Sequence, residues 1–282
     1  MKNIPVTVVI PTRNEEANIE LCLRSAARAQ YVLVVDSHSS DSTRAICREF
    51  GAEVTPFEYR GGYPKKRQWA LDTWPFKTEW ILLLDADERV GPELWGEIDK
   101  VILSDPAAAA YLIRKQFCFL GKRFRFGGFS HRAVALFRRG NVRFEDLSSV
   151  DCGVDMEVHE RLVVNGIAAH LHSSLEHWDE RGLHHYIKKH NEYSTWEASA
   201  RQNLRRFGIL SVGLNLTGLQ RLRRVLKRIA ISTPFEPLAW FLFHYFICLG
   251  VLEGRRGFVA SRIRATYIAD VRDKLWALDR VK

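Results

Sequence analysis

Four short apolar runs, at residues 6–10, 31–35, 54–57 and 80–84, are separated by stretches with helical spacing, and this alternation limits the possible folds more than any other feature of the chain. The intervening helical patterns fall at residues 15–29, 42–50 and 64–71, with a fourth at 92–101. Strands with apolar side chains on both faces belong in the middle of a sheet covered by helices on both sides. The βαβαβαβα rhythm therefore predicts an α/β fold built on a mostly parallel, doubly wound sheet. Residues 4–10 stop at Pro11 and carry a single lysine upstream, which predicts a buried strand rather than a secretion signal. With 282 residues, 46% hydrophobic and 27% charged, the chain has ordinary globular composition, and disorder is excluded as its main state.

Beyond residue 106 the texture changes. Shorter β-like pieces at 111–119 and 134–137 are joined by Gly- and Arg-rich turns, and from Leu183 onward the pattern is helical. The net charge of +9 is uneven, because residues 201–282 hold 16 Lys/Arg against 5 Asp/Glu while residues 1–200 hold 26 against 28. Such asymmetry suits an anionic partner, either nucleic acid or a membrane surface, or else a plain solvated face. Residues 217–231 set Leu219, Leu222, Leu226 and Ile229 on one stripe and Arg221, Arg224 and Arg228 on another, a basic amphipathic helix. Residues 234–252 (PFEPLAWFLFHYFICLGVL) are the most apolar stretch, interrupted by Glu236, His244 and Gly250. They read as a surface lying in one leaflet, as a soluble core helix, or as a short span. Five scattered cysteines in no CxxC pair indicate neither a disulfide framework nor a zinc knuckle, and fit a reducing cytoplasm.

The ends of the apolar runs carry the chemistry. In open α/β sheets ligands bind at the carboxyl edge. The first run enters Pro11-Thr12-Arg13-Asn14-Glu15-Glu16, where Thr12 or Asn14 can also serve simply as a helix cap. The second enters Asp36-Ser37-His38-Ser39-Ser40-Asp41-Ser42-Thr43, in which capping accounts for Asp41 but not for Asp36 as well. The fourth delivers Asp85-Ala86-Asp87-Glu88 to the edge. In extended chain, residues i and i+2 point the same way, so both carboxylates are expected to address one site. Two close carboxylates call for a cation, and hard oxygen ligands suit Mg²⁺ or Mn²⁺, although an isolated Asp-x-Asp is often only a turn. Between them, Gly61 to Leu71 holds a Gly-rich turn and three consecutive cations, Lys65, Lys66 and Arg67, which read as phosphate partners or as a solvated basic face.

These segments, in this order and spacing, resemble the family 2 inverting glycosyltransferases of the GT-A fold. The middle of the chain is similar to the lipopolysaccharide-core glucosyltransferase branch, through Gly127-Gly128-Phe129, Leu136 to Arg139, Val158-His159-Glu160-Arg161-Leu162, His177 and the run YIKKHNEYSTWEA at 186–198. The resemblance implies a GT-A domain over residues 1–200, with a nucleotide-sugar half at 1–105 and an acceptor half at 106–200. Residues 201–282 would form a helical, basic and partly apolar extension that associates with a membrane or with another copy. It further implies that Pro11, Thr12, Glu15, Asp36 and Lys66 contact the nucleoside diphosphate, that Asp85 and Asp87 stand at the metal, with Asp85 also meeting the donor, and that UDP is the donor nucleotide. Ser39 to Thr43 stand where many relatives carry a glycine-containing turn, which leaves residues 37–41 without an assignment.

Inversion requires a carboxylate on the acceptor side to take the proton of the attacking hydroxyl. Asp151, Asp155, Glu157 and Glu160 are the candidates, and the resemblance favours Glu160. Imidazole also suits Mn²⁺, so His177 or His159 can complete the metal site, a structural hydrogen bond being the alternative for each. The expected activity is hexose transfer from a nucleotide sugar to a saccharide or lipid-linked acceptor in cell-surface polysaccharide assembly, by a cytoplasmic protein held at the inner face of an anionic membrane. A sugar nucleotidyltransferase is disfavoured because no Gly-rich phosphate loop follows the first run. A nucleic-acid-binding role is disfavoured because no reader module is visible and the tail's aromatics do not alternate with cations.

Overall fold

The computed structural model describes residues 3–104, 107–145, 162–207 and 233–280. The chain divides into two compact units, one of residues 1–123 and 130–182, the other of residues 124–129 and 183–282.

The first unit opens with the expected alternation: β1 (Ile4–Thr12), α1 (Glu16–Ser25), β2 (Ala29–Asp36), α2 (Thr43–Glu49), β3 (Glu53–Pro56), α3 (Lys66–Thr73), β4 (Trp80–Leu83), β5 (Glu88–Val90) and α4 (Pro92–Leu103). It continues with β6 (Ala108–Phe119), β7 (Lys122–Arg123), β8 (His131–Arg138), β9 (Val142–Phe144), β10 (Leu162–Val164) and β11 (Ile167–His177). The main sheet has the order β3-β2-β1-β4-β8-β6-β11-β5, with β7 paired to β6, while β9 and β10 form a separate antiparallel pair. Strands β1 to β4, β6 and β11 run one way, while β8, between β4 and β6, and β5, at the edge beside β11, run against them.

Period-two alternation explains why the runs are apolar throughout. On β1, Val6, Val8 and Ile10 enter one core with Ile19 and Cys22 of α1 and Leu94, Trp95 and Ile98 of α4, while Val9 enters a second core with Ala70 of α3. On β4, Trp80 and Leu82 join the first core and Ile81 and Leu83 the second. Thr7 turns toward the second face and meets Thr78 through a 2.7 Å hydroxyl hydrogen bond, which satisfies both groups. Helices thus cover both sides of the sheet, as the pattern required.

The second unit is helical: α5 (Gly182–Phe207), α6 (Glu236–Leu242), a π turn (Phe243–Ile247), a 3₁₀ turn (Gly250–Glu253) and α7 (Arg255–Leu278). The apolar stretch at 234–252 is therefore broken into short pieces, and no helix among the described residues is long and apolar enough to cross a membrane. Gly257 is required where α7 starts, because a Cβ there would lie 1.9 Å from the Gly250 carbonyl oxygen. The amphipathic pattern at 217–231 lies outside the described residues.

Candidate active site

The carboxyl ends of β1 and β2 form one hydrogen-bonded unit. Asp36, 1% exposed at the tip of β2, accepts from the Thr12 hydroxyl at 2.9 Å and from the Ser39 backbone N–H at 2.9 Å, and the Ser39 hydroxyl donates to it as well. Asn14 sits in the left-handed region with φ 55° and accepts from the Ser40 N–H at 2.8 Å. The first N–H groups of α1 are satisfied from the neighbouring loop: Glu15 N donates to Thr43 Oγ1 at 2.8 Å and Glu16 N to Asp41 Oδ2 at 3.2 Å. Neither Thr12 nor Asn14 caps α1, since both are used to join the two loops.

The three consecutive cations are not a solvated face. Lys65 and Lys66 are 8% and 7% exposed, Lys66 Nζ reaches the Thr12 carbonyl oxygen at 3.5 Å, and Arg67 pairs with Asp85. Packing of Trp69 and Ala70 against the second core turns this face of α3 inward.

The Asp-x-Asp departs from its expected geometry. Strand β4 ends at Leu83, and Glu88 N donates to Asp85 O at 2.8 Å, so residues 85–88 make a turn rather than extended chain. The two carboxylates consequently take different partners. Asp85 lies between Arg67 and Lys115, whose Nζ is 2.8 Å from Asp85 Oδ2 and also 2.8 Å from Glu88 Oε1. Burial alone would raise the Asp85 carboxyl, but Arg67 and Lys115 outweigh it and hold the group well below the usual carboxylate range. Glu88, fully buried, is shifted upward by burial, with Lys115 opposing and Asp85 adding to the rise. Lys115 itself is held protonated, because Asp85 and Glu88 together overcome its burial.

Asp87, 7% exposed, instead meets His177, with Nε2 and Oδ2 3.1 Å apart. The register of β11 against β5 sets this contact, since His177 pairs with Glu88 and Trp178 N donates to Asp87 O at 2.7 Å. Arg181 closes the same corner. Its guanidinium forks onto Asp179 at 2.8 and 2.9 Å, reaches Glu15 Oε1 at 2.9 Å, and comes within 3.9 Å of Asp87.

Of the expected residues, Pro11, Thr12, Asp36 and Lys66 thus gather at the ends of β1 and β2, while Glu15 is tied through Arg181 to Asp87 and His177, with Asp85 next along the edge. Glu160, Glu157, Asp151, Asp155 and His159 lie outside the described residues. Lys115 and Arg181 carry much of the charge at this edge yet escaped the sequence reading. Their only signals are a lysine two positions after the buried Ile113 on β6, and an arginine just before the positive-φ Gly182.

Among the described residues no group of three or more His, Cys, Asp or Glu side chains forms a complete metal cage. The Asp87–His177 pair nonetheless fits two adjacent positions on an octahedral ion, because ligands about 2.1 Å from Mg²⁺ at a right angle stand about 3 Å apart. Such ions commonly take only one or two protein ligands and complete their shell with substrate phosphates and water.

Comparison with known proteins agrees with this layout. The sequence model of glycosyl transferase family 2 matches residues 7–154. The lipopolysaccharide core biosynthesis glycosyltransferase LpsC of Rhizobium meliloti is 30% identical over 207 residues, covering 69% of this chain and 71% of that protein. An uncharacterized glycosyltransferase of Rickettsia typhi is 25% identical over 275 residues, 94% of this chain and 84% of its own. In fold, the chain is similar to the mannosyltransferase PcManGT of Pyrobaculum calidifontis, solved in complex with GDP-Man and Mn²⁺, with a TM-score of 0.53 and 16% identity over 99% of this chain and 89% of the other. The sheet order, the turn chemistry at its carboxyl edge and the match over residues 7–154 lead to one assignment: this chain belongs to glycosyl transferase family 2 and has the GT-A fold.

Proposed function

We propose that this enzyme moves a hexose, with inversion, from a UDP-linked sugar to a saccharide or lipid-linked acceptor in lipopolysaccharide or related cell-surface polysaccharide assembly. The resemblance to LpsC supports the acceptor class. The observation that carries the proposal is the Asp87–His177 pair, 3.1 Å apart at the carboxyl edge of the sheet. Mg²⁺ or Mn²⁺ bound there would offset the charge that develops on the departing diphosphate.

The protein's own groups have separable tasks in this reading. Pro11, Thr12 and Asp36 form a rigid floor for the nucleoside, and Lys66, placed at the Thr12 carbonyl, offers positive charge on the phosphate side. Arg67 and Lys115 keep Asp85 ionised, so that it can accept hydrogen bonds from the donor. Arg181 holds Glu15 beside Asp87. Glu160 takes the proton of the acceptor hydroxyl. Residues 201–282 keep the enzyme peripheral at the cytoplasmic face of an anionic membrane, with residues 1–200 as the catalytic part.

Asp87→Asn and His177→Ala test the metal assignment by calorimetry of Mn²⁺ binding in the presence of UDP, alongside transfer assays. Each is expected to weaken Mn²⁺ binding by about 10-fold or more while the circular dichroism spectrum is retained. Wild-type Mn²⁺ affinity in both variants would overturn the site.

A further inference from the structure

From Pro234 to Gly254 the second unit has its polarity reversed. Every exposed residue in that segment is apolar, led by Ile247 at 73%, Phe235 at 69%, Leu252 at 59% and Phe246 at 52% exposure. The two carboxylates and the histidine point inward, with Glu236, His244 and Glu253 at 0%, 6% and 5% exposure. Each has a partner inside. Glu236 pairs with Arg272 at 3.0 Å, His244 Nδ1 donates to the Gly127 carbonyl at 2.7 Å, and Glu253 accepts from the Arg125 and Phe126 N–H groups at 2.7 and 2.8 Å.

A surface in contact with water does not sort side chains in this direction. Scattered apolar residues on a surface are ordinary, but a continuous ridge without one exposed polar group marks contact with an apolar phase. The rod formed by α6 and the π turn is about 18 Å long, shorter than the roughly 30 Å hydrocarbon core, so its length suits one leaflet and not a span. Directly after it come the exposed Arg255 and Arg256, with Arg262 two turns further along α7. Residues 201–282 carry 16 Lys/Arg against 5 Asp/Glu. The three exposed arginines beside the ridge disfavour a second copy of the chain as the occupant, since like-charged surfaces repel, and favour anionic headgroups.

We propose that this ridge docks the protein on an anionic lipid bilayer, its apolar side chains entering the boundary between headgroups and acyl chains while Arg255 and Arg256 meet lipid phosphates. The inference rests on the peripheral membrane placement given above and specifies the surface that makes it.

The test is flotation of the full chain with vesicles of phosphatidylcholine, with and without phosphatidylglycerol. Wild-type protein should float with the anionic vesicles. Phe246→Ser combined with Ile247→Ser should lower its partition coefficient by about 100-fold. Arg255→Gln combined with Arg256→Gln should lower it by about 30-fold on anionic vesicles and leave binding to pure phosphatidylcholine unchanged. Absence of wild-type flotation, or equal flotation of wild type and the Phe246/Ile247 variant, would overturn the proposal. So would a concentration-dependent dimer that the Phe246/Ile247 variant dissolves without any change in lipid binding, which would give the ridge to a second copy. Transfer to a water-soluble acceptor separates this from the catalytic reading, because the ridge variants should keep wild-type kcat there, whereas Asp87→Asn should lose transfer and still float.

Discussion

Replacing Lys115 by methionine tests the electrostatic account of the sheet edge. The ammonium sits 2.8 Å from both Asp85 and Glu88, and its side chain is only 16% exposed. Methionine keeps most of the apolar stem and removes the charge, leaving Glu88 buried beside Asp85 with Arg67 as the remaining cation of the pair. Breaking a buried pair from one side costs about 3–5 kcal/mol, which for a domain of this size lowers Tm by roughly 6–20 °C. The loss should depend on pH. In the wild type, Asp85 has a depressed pKa and contributes stability that is present above its unfolded value and lost as pH falls through the folded one. Losing Lys115 shrinks that contribution. Glu88 has a raised pKa, which Lys115 partly counteracts, so the folded state costs most when Glu88 must ionise as pH rises through its folded value. The Glu88 effect makes the deficit of the variant larger near about pH 7 than near about pH 4, while the Asp85 part persists at about pH 4 and is lost only at lower pH. Thermal melts followed by circular dichroism across that range measure it. A deficit below about 3 °C, or one that stays constant with pH, would refute the reasoning.

Glu160→Gln should leave UDP binding intact, as read by calorimetry, while turnover falls by about 10²-fold or more, and wild-type turnover would move the base to another carboxylate. Arg181→Met should destabilise the protein by about 3 kcal/mol in urea unfolding, because Glu15 and Asp179 lose their shared partner. Arg181→Lys should recover only part of this, since the planar fork onto Asp179 is lost, and full recovery by lysine would show that charge alone matters.

The strands were legible because each must be apolar on two faces at once. In residues 80–84 the alternation that sends Trp80, Leu82 and Leu84 to one core and Ile81 and Leu83 to the other leaves no polar position, and nothing but a central strand fits. The course of the Asp-x-Asp was not legible. Residues 85–88 turn through two hydrogen bonds, Glu88 N to Asp85 O and Asp85 N to Glu88 Oε2, and the sequence Asp-Ala-Asp-Glu is equally compatible with extended chain. Lys115 carries no signal in the sequence alone, and its place between Asp85 and Glu88 follows from the pairing of β6 between β8 and β11, a long-range event. Arg181 was hidden for the same reason, lying 166 residues from Glu15 in the chain. For residues 234–252 hydropathy left three readings, and the breaks at Leu242 and Ile247, which no hydropathy pattern announces, leave no piece among the described residues long enough to span a bilayer.

The stitching between the loop after β1 and the loop after β2 has a consequence for how such enzymes diversify. Thr12, Asn14, Glu15 and Glu16 on one loop each bond to Asp36, Ser39, Ser40, Asp41, Ser42 or Thr43 on the other. A chimera that imported only one of these loops from a relative would strand its partner's donors and acceptors, so the two act as a matched set. Exchanging either loop by recombination would therefore require exchanging both together.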